Sequence, residues 1–347
     1  MKAILYHSFE GPLRIDNVPQ PDVSHDGVVI QVKASGICRS DWHGWMGHDP
    51  AITSFPHVPG HEFAGVITHV GADVQKWQQG DRVTAPFSCG CGVCPQCEEG
   101  FPNICDNEFQ PGFTAWGSFA ENVAIRYAHE NLVRLPDDLD YVAAAGLACR
   151  FMTAFRGVID QGQVSEDQWV AVYGCGGVGL SAIMIAAVLG ARVIGVDLSE
   201  EKLELSRSLG AAETVNVSET SDPAEAIRFL TSGGAHLSID AFGGAETARN
   251  SILSLRKRGR HVQIGLTVGD ESDVAIPMDQ VIAREIEIVG SHGFRTSHYE
   301  EVFRMISDGK LDPGLLVKKT VSLEGAIGEL ESMADFDSLG MTVIDTF

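Results

Sequence analysis

Trp169-Val170-Ala171-Val172-Tyr173-Gly174-Cys175-Gly176-Gly177-Val178-Gly179 decides how the second half of this chain folds. The five residues to Tyr173 read as a buried strand, and the apolar run from Gly177 to Leu189 reads as a helix. Between them Gly174, Gly176 and Gly179 stand at the spacing Gly-x-Gly-x-x-Gly. Such glycines permit a tight turn, a close approach of backbone to a pyrophosphate, and close packing of helix on strand. The phosphates would rest on the helix N-terminus at Gly177 and Val178, where free N–H groups and the helix dipole favour anions. The stretch Trp169–Ala191 is uncharged and long enough to span a bilayer. Its glycines divide it, however, so a strand, turn and helix explain it better than a membrane anchor.

Working outward, the next strand, Arg192–Val196, ends in Asp197, 18 residues after Gly179. A carboxylate there accepts hydrogen bonds from both hydroxyls of an adenosine ribose and repels a 2′-phosphate, which favours NAD over NADP. Further strands are expected at Thr214–Val217, Leu237–Ala241, His261–Gly265 and Glu285–Val289. Amphipathic helices separate several of them, among them Glu200–Leu209, which stops at Gly210. Strands alternating with helices over short connections predict a parallel, doubly wound sheet. The first 150 residues read differently, as short β segments between turns, for example Val28–Val32, Phe63–Ile67 and Arg82–Thr84. After about Gly290 the pattern turns irregular, and this tail is expected to return to the first domain.

With 347 residues the chain is long enough for about two domains, each burying its own core. It is 44% hydrophobic and 21% charged, as soluble enzymes are, and its net charge of −22 argues against a nucleic-acid surface. The segment Met1–His7 has no apolar core of an export signal, so a cytoplasmic protein with no membrane partner is expected. Eight cysteines in that setting read as metal ligands more readily than as disulfides.

Four of the eight form Cys91-x2-Cys94-x2-Cys97-x7-Cys105. Two Cys-x-x-Cys spacings sharing Cys94, with a fourth thiol close by, predict a closed structural zinc. Glu98, Glu99, Asp106 and Glu108 around it disfavour a zinc ribbon for nucleic acid. Cys89 lies outside the regular spacing, as a spare thiol.

The second constellation is Cys38-Arg39-Ser40-Asp41-Trp42-His43, then Gly60-His61-Glu62, and far along the chain Cys149. With these motifs in order, followed by the four-cysteine lobe and the nucleotide turn, the chain resembles the zinc-dependent alcohol dehydrogenases of the medium-chain dehydrogenase/reductase family over nearly its whole length. The resemblance implies an α/β protein with an N-terminal, mainly-β GroES-like catalytic domain and a doubly wound, parallel-sheet Rossmann domain. Their ranges would be 1–150 (with a zinc lobe at about 88–108) and 151–290, with 291–347 returning to the first.

The resemblance also implies a catalytic zinc held by Cys38, His61 and Cys149, giving two zinc ions per chain. Glu62 would sit just behind the metal and Asp41 would orient His61. Ser40 and His43 would relay the alcohol's proton, the ordinary pKa of histidine suiting His43 as acceptor. Arg39 would contact the coenzyme pyrophosphate, Lys202 counts among the NAD-binding positions, and Phe87 would wall the substrate pocket. The implied reaction is reversible oxidation of a primary or secondary alcohol to an aldehyde or ketone by hydride transfer to NAD, in a homo-oligomer, tetramer or dimer.

Three alternatives stay open. Polyol and threonine dehydrogenases of the same family commonly use a glutamate as third ligand, so Cys149 leans towards simple alcohols. Cinnamyl-alcohol types usually prefer NADP, which Asp197 disfavours. A non-catalytic zinc and nucleotide binder would not need Cys38, His61, Ser40 and His43 together. Cys149 could instead be a small buried core residue. Arg150 departs from the family, which more often has a small uncharged residue there; it either pairs with a carboxylate near the zinc or biases the substrate. His48, His57, His69 and His292 have no motif behind them and read as structural or solvated, and Trp42, Trp45 and Met46 as packing residues.

Overall fold

The computed structural model describes residues 1–347, apart from the side chain of Asp270. The chain divides into two compact units, Met1–Met152 with Gly293–Met305 and Pro313–Phe347, and Thr153–His292 with Ile306–Asp312. The short segment Ile306–Asp312 thus groups with the second unit, where the whole tail 291–347 was expected with the first.

The second unit carries a six-stranded sheet in which every neighbouring pair is parallel. Across it the order is Ala211–Asn216, Arg192–Asp197, Trp169–Tyr173, Ala235–Asp240, Leu255–Gln263 and Glu287–Gly290. The reversal at Trp169–Tyr173 is the switch point of a doubly wound fold, and it places the end of that strand at a crevice. Val170, Val172, Ile194 and Ile239 are fully buried, as strands covered on both faces require. The helix Gly177–Val188 is apolar all round because its flank too is covered. Several strands begin earlier than expected: Ala235 and Leu255 pair with each other ahead of Leu237 and Arg260, across a register shift. Irregular pairing hides such starts from a period-two reading.

The first unit is built on a seven-stranded sheet ordered Val317–Ser322, Met341–Thr346, Val28–Ile37, Glu62–Val70, Arg82–Thr84 and Val133–Arg134, with Asn122–Ile125 pairing on Val28–Ile37. The tail that looked irregular supplies two of these strands and two helices, His298–Ser307 and Leu323–Glu331. Val28–Ile37 runs to ten residues rather than five because Ser35 and Gly36, weak β formers alone, are paired on both sides and Ala34 on one. The first unit is not all short β either. A helical run, Tyr141–Gln161, of which Tyr141–Met152 belongs to this unit, is long and apolar enough to cross a membrane, but 89% of its most apolar stretch is buried inside the protein. Asp140 caps its start by accepting the Ala143 N–H at 2.8 Å. The start of the run, with the small residues Ala143 and Ala144, packs closely on Val28–Ile37 and Glu62–Val70, and Gly146 faces Val317 and Met341.

Candidate active site

The nucleotide turn follows from its glycines. Gly174 has φ +88°, a left-handed conformation that glycine adopts without cost, and a Cβ on Gly179 would run into the Gly174 carbonyl. Asp197 is fixed against this turn: Oδ2 accepts the Cys175 N–H at 2.7 Å and Oδ1 the Ser199 N–H at 3.0 Å. Cys175, fully buried, fills the space beneath. Lys202 lies in the first turn of the helix Glu200–Ser208, whose cap is Ser199.

The four-cysteine lobe closes on itself. Sγ atoms of Cys91, Cys94, Cys97 and Cys105 all lie within 4.8 Å of one another. Backbone N–H groups of Cys91 and Asn107 point at Cys105 Sγ, at 3.3 and 3.2 Å, and the Val93 N–H draws the Cys91 thiol down to about 6. Amides aimed at sulfur stabilise thiolates, and a set of four thiolates suits a structural zinc. Cys89 stands apart, buried, with its thiol donating to the Pro86 carbonyl.

The second group joins residues far apart in sequence. Donor atoms of Cys38, His61, Glu62 and Cys149 lie within 4.8 Å of one another, all buried. Zinc bonds of about 2.0–2.3 Å bring such a set within reach of one ion. Asp41 organises it from the short helix Arg39–Trp45. Its Oδ1 accepts from His61 Nδ1 at 2.8 Å and from the Gly60 N–H at 3.0 Å, and its Oδ2 accepts the Cys38 N–H at 3.0 Å. One carboxylate therefore sets the positions of two donors and fixes the proton on His61 Nδ1. That leaves His61 Nε2 as a lone-pair donor, and among the described residues this buried nitrogen has no hydrogen-bond partner. Hydrogen bonding from Cys149 holds the Cys38 thiol well below its usual range. An orphaned imidazole nitrogen, a low-pKa thiol and a second thiol beside them fit zinc.

Cys149 sits in a π turn, Leu147–Phe151, within the long helix. Such a turn inserts an extra residue and re-aims side chains, and it recurs at functional sites. Here it delivers Cys149 to the donor group and the next residue, Arg150, to Glu62. Arg150 Nε donates to Glu62 Oε1 at 2.8 Å and its Nη2 to Oε2 at 2.6 Å. Burial is the largest single influence on the Arg150 cation and works against it, but the charge and hydrogen bonds of Glu62 together with the charges of Cys38 and Cys149 more than offset it, and its pKa rises. Of the two roles open to Arg150, the structure shows the carboxylate pairing.

Ser40 Oγ lies 3.8 Å from Cys38 Sγ. His43 meets His48, Nδ1 to Nδ1, at 3.0 Å, so His48 is a partner of a candidate site residue rather than a mere solvated histidine. Burial first, then the charges of Arg39 and His48, push His43 down to about 4 instead of leaving it at the ordinary histidine value. Arg39 donates to the Met333 carbonyl and stacks on Trp42 and Phe336 within the first unit. Phe87 lies edge-on to His61 with ring centroids 6.0 Å apart. Phe113, which sequence reasoning missed, is closer at 5.3 Å. It sits on a loop with no motif around it, so only the fold reveals it.

Comparison with known proteins agrees with this geometry. Residues 24–137 match the alcohol dehydrogenase GroES-like domain and residues 177–308 the zinc-binding dehydrogenase domain. An alcohol dehydrogenase of Geobacillus stearothermophilus is 32% identical over 312 residues, 90% of each chain. The chain belongs to the zinc-type alcohol dehydrogenase family. Among solved structures, an NAD-dependent alcohol dehydrogenase superposes with TM-score 0.90 at 30% identity, covering all of both chains. An alcohol dehydrogenase from Thermus sp. ATN1 matches equally, with TM-score 0.90, 30% identity and full coverage of both. Within this family the group at Cys38, His61 and Cys149 is the catalytic candidate, and the four-cysteine lobe is the structural one.

Proposed function

We propose that this protein is a zinc- and NAD-dependent alcohol dehydrogenase that interconverts a primary or secondary alcohol and its aldehyde or ketone. The observation that carries the reading is the buried donor set of Cys38, His61 and Cys149, organised by Asp41, in a chain of this family.

Cys38, His61 and Cys149 would hold the catalytic zinc and Cys91, Cys94, Cys97 and Cys105 the structural one. When bound, the catalytic zinc is a Lewis acid that lowers the pKa of a substrate alcohol. The protein's own part is positional. Asp41 keeps Cys38 and His61 in register and holds the proton on His61 Nδ1, which keeps Nε2 a donor. Phe87 and Phe113 flank His61 with apolar surface that excludes water. Ser40 Oγ, 3.8 Å from the Cys38 sulfur, is placed to take the substrate's proton. His43, on the same short helix and in contact with His48, is neutral at ordinary pH, and its lowered pKa suits it to passing the proton on rather than keeping it.

In the second unit, the glycine turn would seat the pyrophosphate of NAD, and Asp197 would accept the adenosine ribose hydroxyls. Eight free cysteines, two groups of them placed as metal ligands, suit a reducing, cytoplasmic setting, and we read the chain as a homo-oligomer by analogy with its family. NADH formation across a panel of primary and secondary alcohols tests the reading. Turnover on at least one class is expected; no NADH formation by the zinc-loaded protein on any of them would overturn it.

A further inference from the structure

We propose that Arg150 is a positioning residue that keeps the Glu62 carboxylate out of the metal's coordination shell, so that a three-ligand site retains an open position. The inference rests on the assignment of Cys38, His61 and Cys149 as ligands. Glu62 belongs to the same donor group, within 4.8 Å of all three, so nothing in distance alone bars it from ligating. Arg150 is what occupies it. The guanidinium fork takes both oxygens, at 2.8 and 2.6 Å, and the Arg150 backbone N–H adds a third bond to Oε1 at 3.2 Å. Both partners are buried, with side-chain exposures of 8% and 0%.

Two further features show that the pair is built into the fold. Arg150 follows Cys149 in one π turn, so the segment that supplies a thiolate also supplies the cation that restrains the carboxylate. On the other side, Gly36 pairs with Glu62 across the sheet. A Cβ there would collide with Glu62 Oε2 and stand 3.1 Å from Arg150 Nη2. The space holding the pair exists because residue 36 has no side chain.

Charge balance gives the reason for the pair. Two thiolates would neutralise a divalent cation and Arg150 neutralises Glu62, while the Asp41 carboxylate is held separately by the Cys38 and Gly60 N–H groups and His61. Without Arg150 the Glu62 carboxylate would be buried with no cation paired to it, and it would compete with an exogenous ligand for an ion held by Cys38, His61 and Cys149, whose donor atoms lie within 4.8 Å of its own.

Cobalt(II) in place of zinc in the full chain tests this, with imidazole as the probe of the open position. A closed four-cysteine site offers imidazole no place, so the imidazole-sensitive absorption reports the other site alone. Arg150→Met is expected to change that spectrum and weaken imidazole binding about 10–100-fold. The double variant Glu62→Gln/Arg150→Met is expected to regain both. Arg150→Lys, which keeps the buried charge but loses the fork, covers failure of Arg150→Met to fold and is expected to show partial loss. Wild-type spectrum and imidazole affinity in Arg150→Met or Arg150→Lys, with Cys38→Ser abolishing the band, would overturn the clamp while leaving the metal assignment standing. An intact band in Cys38→Ser would overturn the metal assignment, and the clamp with it.

Discussion

His61 Nδ1 and Asp41 Oδ1 lie 2.8 Å apart with both side chains fully buried, and the other Asp41 oxygen holds the Cys38 backbone. A single carboxylate thus couples two donors that are 23 residues apart in the chain. Asp41→Asn keeps the shape but removes the charge that fixes the His61 proton. Zinc affinity of the Cys38 site should fall about 10–100-fold, measured by competition with a chelator, while the four-cysteine site is unaffected. Unchanged affinity would mean that Asp41 is only a structural brace.

Ser40→Ala removes the hydroxyl beside Cys38. Hydride transfer in single-turnover experiments should slow by roughly 10²-fold, the lower range for proton-transfer catalysis. A wild-type rate at every pH would exclude Ser40 from the proton's route.

Asp197 is held by the Cys175 and Ser199 N–H groups with its carboxylate at the end of the second strand. Asp197→Ala should lower the NAD/NADP ratio of kcat/KM by roughly 10–100-fold, the equivalent of losing a charge-assisted hydrogen bond of about 1.5–3 kcal/mol. A ratio that does not move would show that Asp197 is not the ribose partner.

Burial lowers the pKa of His43, to about 4, and those of His57 and His261 below the ordinary histidine value. Between pH 6.5 and about 4 these three histidines therefore bind more protons in the unfolded chain than in the folded one. Stability should fall as pH drops through that window and be free of this effect above it. Urea unfolding across the range should show the decline, and His43→Gln should make it shallower. A slope identical to wild type would contradict the burial of His43.

What the sequence disclosed was local. The turn Gly174–Gly179 with Asp197, and the lobe Cys91–Cys105, carry their chemistry in spacings of a few residues, and each reads directly. Pairings across the sheet did not. Glu62 and Arg150 are separated by 88 residues, and only the packing of the long helix on the strand Glu62–Val70 brings them together. The same holds for the strands Val317–Ser322 and Met341–Thr346, whose partners lie elsewhere in the chain or across irregular register. His48 was near in sequence yet missed, because a turn folds it back so that its N–H donates to the His43 carbonyl at 2.9 Å. Helical spacing in that segment gives no hint of it.

The central claim is that Cys38 is a ligand of a catalytic zinc distinct from the closed four-cysteine site. Zinc content and alcohol turnover of Cys38→Ser, measured beside NAD binding, test it most directly. Two donor groups predict two zinc ions per chain in the wild type. The variant should retain one, bind NAD as before and make no NADH from any alcohol that the wild type oxidises. A variant that keeps both ions and wild-type turnover would contradict the account.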